Sequence, residues 1–215
     1  TLSGLRAALA ADFAGYEKLR LQGANRSPKW GNNHCATDAL AVEITTLCAR
    51  LLNHESNTLG GHFFASLYGQ HVVERGKYVG ALPSGRKAGE ALSKNMDAAL
   101  SMDRNGVTSL LNSALKIDVT DYPCGVCLDV MLHPSAVAGS DGLEALHALL
   151  VTYMAGGGSG LQFNIFDSEA LRDAQIHPEQ YRNLQVRVCG WNARFTDLST
   201  ADQNTFIRQA EAVAG

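Results

Sequence analysis

The chain of 215 residues has almost no charge bias: 18 Lys and Arg stand against 21 Asp and Glu, a formal net charge of −3. Surfaces that track a phosphate backbone carry a strong basic excess, so this balance speaks against a nucleic-acid partner. No window approaches about 18 consecutive apolar residues, and no membrane span is expected. Residues Thr1 to Ala11 lack the basic start and apolar run of an export signal. Paired cysteines are wanting too. The five present (Cys35, Cys48, Cys124, Cys127 and Cys189) are an odd number, where a secreted disulfide framework uses an even one. Reduced thiols in a cytoplasmic setting are the better expectation. Asn25-Arg26-Ser27 has the form of a glycosylation acceptor, but without an export signal it carries no weight. There is no internal repeat and no flexible interdomain linker. The chain opens on Thr1 and not Met, so a piece of something longer is expected.

What is present suits a folded interior. Apolar residues make up 46% and charged residues 18%, and a chain of this length buries roughly 70% of its unfolded surface. Apolar spacing predicts a helix over Leu2–Leu21, ended by Gly23–Pro28. A second, mostly buried helix is expected over Ala36–Leu52, and a short strand over Phe63–Tyr68. Residues 76–90, with four glycines and a proline, read as a long ordered loop. Further expectations are a helix over Val107–Ile117, a strand over Val126–Leu132, and a helix to Met154 opened by a capping pair, Asp141 with Glu144. After the break at Gly156–Gly160 follow a strand over Leu161–Phe166, a helix over Ser168–His177 and a strand over Leu184–Val188. Ser199 with Asp202 is expected to cap a last helix to Val213. Alternating strands and helices predict an α/β fold with a largely parallel sheet.

Several short motifs fall short of a site. Cys124-Gly-Val-Cys127 has the spacing of half a zinc site but no second pair follows, so two packed thiols at a strand start are expected. Ser84-x-x-Lys87 and Ser113-x-x-Lys116 lack the companion motifs of Ser–Lys enzymes. The glycines at 156–160 lack the order of a phosphate cradle. His54-Glu55 lacks a second His, and His133 before Pro134 reads as a strand end.

The stretch 184–195, LQVRVCGWNARF, is different. A strand's alternation runs into Gly190 and resumes after it. Glycine inside such a run marks a bulge, a tight bend or a close backbone approach, and spacing alone says no more. Val186-Arg187-Val188-Cys189-Gly190-Trp191, with Phe195 beyond, resembles the radical loop of the pyruvate formate-lyase-like glycyl radical enzymes. Pro28-Lys29-Trp30-Gly31-Asn32, Pro83-Ser-Gly-Arg-Lys-Ala-Gly-Glu90, Gln162-Phe163-Asn164 and the helix with Asp173-Ala174-Gln175, Pro178-Glu179 and Tyr181 resemble other segments of that family, in the same order.

The resemblance implies the C-terminal part of a ten-stranded α/β barrel. In that scheme residues 28–165 belong to the end of the barrel region and residues 166–215 to a glycyl radical domain, within one C-terminal portion, 1–215. It implies a radical-based lyase or acyltransferase-like enzyme of cytoplasmic, anaerobic metabolism, sensitive to oxygen. Its cofactor would be a protein-derived glycyl radical at Gly190, with no bound metal. S-adenosylmethionine and a 4Fe-4S cluster would belong to a separate activating enzyme. Arg187, Val188, Cys189, Trp191 and Phe195 would be the neighbours of the radical, with Val188, Trp191 and Phe195 shielding it. The glycyl radical would generate a thiyl radical that attacks a small organic substrate. None of the five cysteines sits in the family's Gly-Cys-x-Glu setting, which places the thiyl cysteine outside this chain, and Cys189 reads as loop packing. Trp191 and Asn192 depart from the commoner Tyr and Ala or Ser, which weighs against a likeness to pyruvate formate-lyase itself within the family. A homodimer, or association with the remainder of the lyase, is the expected assembly. Two other readings stay open: a stand-alone radical carrier that docks to a truncated or oxygen-damaged lyase, and a radical-free α/β binding module.

Overall fold

The computed structural model describes residues 1–69, 71–188 and 190–214, apart from the side chain of Ala214. The helix expected over Leu2–Leu21 is two: α1 (Leu2–Ala10) and α2 (Glu17–Arg26). Asp12 and Phe13 between them take φ of 47° and 62°, and the Phe13 N–H reaches back to the Ala8 carbonyl at 2.7 Å. This left-handed turn swings Phe13 into the interior, where it is buried with Ala8. Burying an aromatic ring outweighs the local cost of positive φ. Gly23 does not stop α2. It lies inside the helix where a Cβ would stand 2.6 Å from the Pro83 carbonyl, so glycine serves a close approach.

Helix α3 (Cys35–Asn53) matches the expected span but not the expected burial: only Asp38 and Ala49 are buried. Its apolar residues Leu40, Ile44, Leu47 and Leu51 are exposed. Phe63–Tyr68 is extended but makes only a single parallel bridge, Leu67 with Val126, and no strand. After the short α4 (Val72–Gly76) the glycine-rich loop is ordered by one side chain. Arg86 donates to the carbonyls of Gly76, Val79, Gly80, Glu90 and Ala91.

Helix α5 (Val107–Ala114) leads to β1 (Cys127–Leu132). Helix α6 (Gly139–Ala155) then returns the chain to β2 (Gly160–Ile165), which pairs parallel with β1 from Cys127↔Gly160 to Leu132↔Ile165. The expected capping pair of α6 is not formed. The helix starts two residues earlier, so Asp141 sits in its first turn, beside the positive helix end. Helix α7 (Ser168–Ile176) precedes β3 (Gln185–Val188) and β4 (Trp191–Arg194). These two form an antiparallel hairpin, so the parallel expectation holds only for β1 and β2. So short a connection forces reversal, whereas parallel pairing needs a crossover such as α6. Helix α8 (Thr200–Ala214) is capped as expected: Ser199 Oγ accepts from the Asp202 N–H at 3.2 Å and donates to the Asp202 carboxylate at 2.5 Å.

Two apolar clusters result. One gathers α5, β1 and Tyr153 of α6, including Leu110, Leu128 and Val130. The other joins α7, the hairpin and α8 through Leu171, Val186, Phe195, Phe206 and Ile207. Among the described residues no helix is long and apolar enough to cross a membrane.

Candidate functional site: the hairpin glycine and its clamp

Strand alternation explains how the hairpin is held. Val186 points into the second cluster and is buried; Phe195, just beyond β4, is fully buried and anchors the base. The Phe195 N–H also donates to the Leu184 carbonyl at 2.9 Å, and its own carbonyl accepts from Gln203 of α8 at 3.0 Å. Arg187, between the buried positions, faces β2. There Asn164, only 2% exposed, behaves like a strand neighbour. Its Oδ1 accepts from the Arg187 N–H at 2.9 Å, and its Nδ2 donates to the Arg187 carbonyl at 3.2 Å.

At the tip stands Gly190 with φ of +97°. An L residue rarely takes that conformation, and glycine does so without penalty. A methyl group built on its α-carbon would collide with the Tyr68 hydroxyl. The Gly190 N–H donates to Gln162 Oε1 at 3.2 Å, and Arg187 Nε donates to the same oxygen at 2.8 Å. Arg187 Nη1 reaches Asn192 Oδ1 at 3.0 Å, tying the two strands together. The other end of the Gln162 amide donates to Cys127 Sγ. A glycine α-carbon is thus fixed between a phenol and a side-chain amide that belong to distant segments.

Below the clamp the chemistry is buried. Burial pushes the Cys127 thiol up from its ordinary 9.0 to about 11, against the opposing pull of the Gln162 hydrogen bond. Lys94 Nζ lies 3.4 Å from Asp129 and 5.1 Å from the centre of the Phe206 ring. Asp97 accepts from the Asp129 N–H at 2.7 Å. Burial holds its carboxyl well above the usual range, with Lys94 opposing and Asp129 adding to the shift.

The predicted neighbours divide. Gly190 stands at the hairpin tip, with Arg187 and Val188 at the end of β3 leading into it. Cys189 falls outside the described residues. In this chain Gly190 is exposed, Trp191 is 50% exposed, and Phe195 is sunk in the second cluster below the tip. Trp191 borders a cavity of about 160 Å³ with Val72, Val188 and Phe206. The packed thiol pair is one thiol: Cys127 is buried, Cys124 exposed. No group of three or more His, Cys, Asp or Glu gathers to hold a metal among the described residues. Tyr68 went unread, since its segment gave only a strand signal. Gln162 and Asn164 were visible as a strand motif, and their two-residue spacing already put both on one face of β2.

Residues 92–196 match the family profile described as "Glycine radical", and residues 1–73 match that described as "Pyruvate formate lyase-like". The trans-4-hydroxy-L-proline dehydratase of Clostridioides difficile is 31% identical over 205 residues, covering 95% of this chain and 26% of that protein. The indoleacetate decarboxylase of Tractidigestivibacter scatoligenes is 34% identical over 190 residues, covering 86% and 21%. The glycerol-bound B12-independent glycerol dehydratase from Clostridium butyricum superposes with a TM-score of 0.92 at 35% identity, over 97% of this chain and 27% of that one. The chain therefore belongs to the glycyl radical enzyme family, as a C-terminal region. Its fold is part of the ten-stranded α/β barrel of those enzymes, and it spans about a quarter of the length of the relatives it matches.

Proposed function

We propose that Gly190 is the carbon on which this chain stores an unpaired electron, as the radical-bearing part of a glycyl radical lyase. The observation that carries the reading is the hairpin tip itself. A glycine at φ +97° is clamped by Gln162, in a space that Tyr68 denies to any side chain. A radical on a glycine α-carbon is stabilised between a nitrogen that donates and a carbonyl that withdraws electron density, and it needs a planar carbon that a side chain would crowd. Installing it requires loss of one hydrogen atom from the α-carbon. A radical S-adenosylmethionine activating enzyme with its iron–sulfur cluster would supply that chemistry, and this chain supplies position. The stored radical then takes a hydrogen atom from the thiol of a cysteine outside this chain, and the resulting thiyl radical attacks a small organic substrate. In this scheme residues 166–215 act as the radical domain and residues 28–165 close the barrel. An oxygen-sensitive radical also suits the cytoplasm of an anaerobically growing cell.

The exposed tip supports association with more lyase mass. Gly190 and Trp191 face solvent here, and a stored radical needs exclusion of water and oxygen. The covering surface comes either from the rest of the same polypeptide or from a lyase to which a stand-alone carrier docks. The exposed Leu40, Ile44, Leu47 and Leu51 of α3 support contact with such a body under both readings.

The test is anaerobic incubation of the chain with the activating enzyme and S-adenosylmethionine. A doublet signal in electron paramagnetic resonance is expected, and Gly190→Ala abolishes it. Air should then cut the backbone at Gly190, releasing a piece that runs to Gly215. A doublet that survives in Gly190→Ala places the radical elsewhere and overturns the assignment.

A further inference from the structure

We infer that Gln162 is the residue that positions and tunes Gly190, its side-chain oxygen holding the Gly190 N–H while Arg187 and the Cys127 sulfur lock the amide in that orientation. This rests on Gly190 being the radical carbon.

The chemistry of the partners decides which end of the amide faces the glycine. The Gly190 N–H and the Arg187 guanidinium are donors only, and the guanidinium does not lose its proton. Both lie within hydrogen-bonding distance of one Gln162 atom, at 3.2 and 2.8 Å, so that atom must be the oxygen. The remaining NH₂ then points at Cys127 Sγ, an acceptor. Three partners, two on the hairpin and one on β1, leave the side chain one orientation. The bond to Asn164 two residues on keeps β3 from sliding along β2.

The hydrogen bond acts on the donating half of the radical's electronic environment. An oxygen accepting from the amide N–H makes the nitrogen a better electron donor, and that nitrogen feeds the half-filled orbital on the adjacent α-carbon. It also restricts rotation about the bond that sets φ, and so the direction in which the α-hydrogen points. Gln162 bonds the amide N–H of Gly190 and acts through it, so it is a positioning residue and not a catalytic one.

Two variants of the full chain separate the parts. Gln162→Met keeps length and apolar volume but removes the acceptor; Gln162→Glu keeps an acceptor facing Gly190 and Arg187 and loses the donor to Cys127. Before activation, the Gly190 amide proton in nuclear magnetic resonance should move upfield and exchange about five- to tenfold faster in Gln162→Met. In Gln162→Glu it should stay hydrogen-bonded. Cross-strand signals of Val186 and Ala193 should hold in both. After activation, the doublet of Gln162→Met should decay about five- to tenfold faster under anoxia with an altered splitting, and Gln162→Glu should restore the wild-type lifetime. An unmoved Gly190 amide proton in Gln162→Met overturns the inference. If Gln162→Met does not fold, loss of the hydrogen-bonded signal in Gln162→Glu overturns it instead. A silent wild-type spectrum sinks the radical assignment alone, because the amide-proton comparison decides the hydrogen bond without it.

Discussion

Gly190 answers two constraints at once: a backbone angle unsuited to L side chains and a neighbour that occupies the Cβ position. The two can be separated. Gly190→Ala should destabilise the chain by about 1–3 kcal/mol. In a Tyr68→Phe background the added cost should be smaller, because the colliding hydroxyl is gone while the φ strain persists. Denaturant midpoints of the four proteins give the coupling, and strict additivity would show that the collision relaxes freely. At Cys127 the expectation concerns pH. Burial disfavours the thiolate, so the folded chain holds this proton to about 11 while the unfolded chain releases it near 9.0. Stability from this group is therefore complete below pH 9 and is lost as pH rises towards 11. Thermal melts of wild type and Cys127→Ser at pH 8 and pH 10 test the sign: the wild type should lose more stability over that interval.

Among elements, the hairpin depends on what lies under its base more than on its own two short strands. Four residues a side is marginal for an isolated hairpin. Val186 and Phe195 supply the apolar anchor against α7 and α8. Phe195→Ala should cost about 3–5 kcal/mol, and proteolysis should then cut near the hairpin before the β1–β2 pair is lost. Simultaneous loss of both would mean that the two clusters fold as one unit. Ser199→Ala should cost about 1 kcal/mol through α8 alone. The elements that sequence reasoning placed well are those whose signals are local: the Ser199–Asp202 cap, the β1 apolar run, the strand-like stretch of β2, and Pro178 after α7. It missed the break between α1 and α2 because the helical apolar spacing ran through it; Gly15, at φ 78°, was the only local sign of a turn there, and Asp12 and Phe13 carry none. That turn is set by the burial of Phe13, a tertiary gain.

For the whole molecule, the apolar stripe on α3 is the feature least suited to a chain alone in water. Leu40, Ile44, Leu47 and Leu51 repeat at helical spacing and lie 44–57% exposed. Such a contiguous face marks an interaction surface. The isolated chain should bind a hydrophobic dye and self-associate with concentration. Ile44→Lys with Leu47→Lys should reduce both without lowering the melting temperature, since neither side chain is buried in the described fold. A fall in melting temperature of several degrees would mean that the stripe supports this chain's own core.

The sequence by itself determined the family and the identity of the hairpin glycine, because glycine and its motif are matters of covalent structure and adjacent residues. It also determined most helices and the parallel pair, whose apolar periodicity is written locally. Only the tertiary structure decided what surrounds Gly190. Gln162 lies 28 residues before it, and Tyr68 comes from another segment altogether. Contacts between segments so far apart arise from β1–β2 pairing and the packing of the hairpin on α7 and α8, which no local window encodes. The same packing left Trp191 and Gly190 facing outward in this chain.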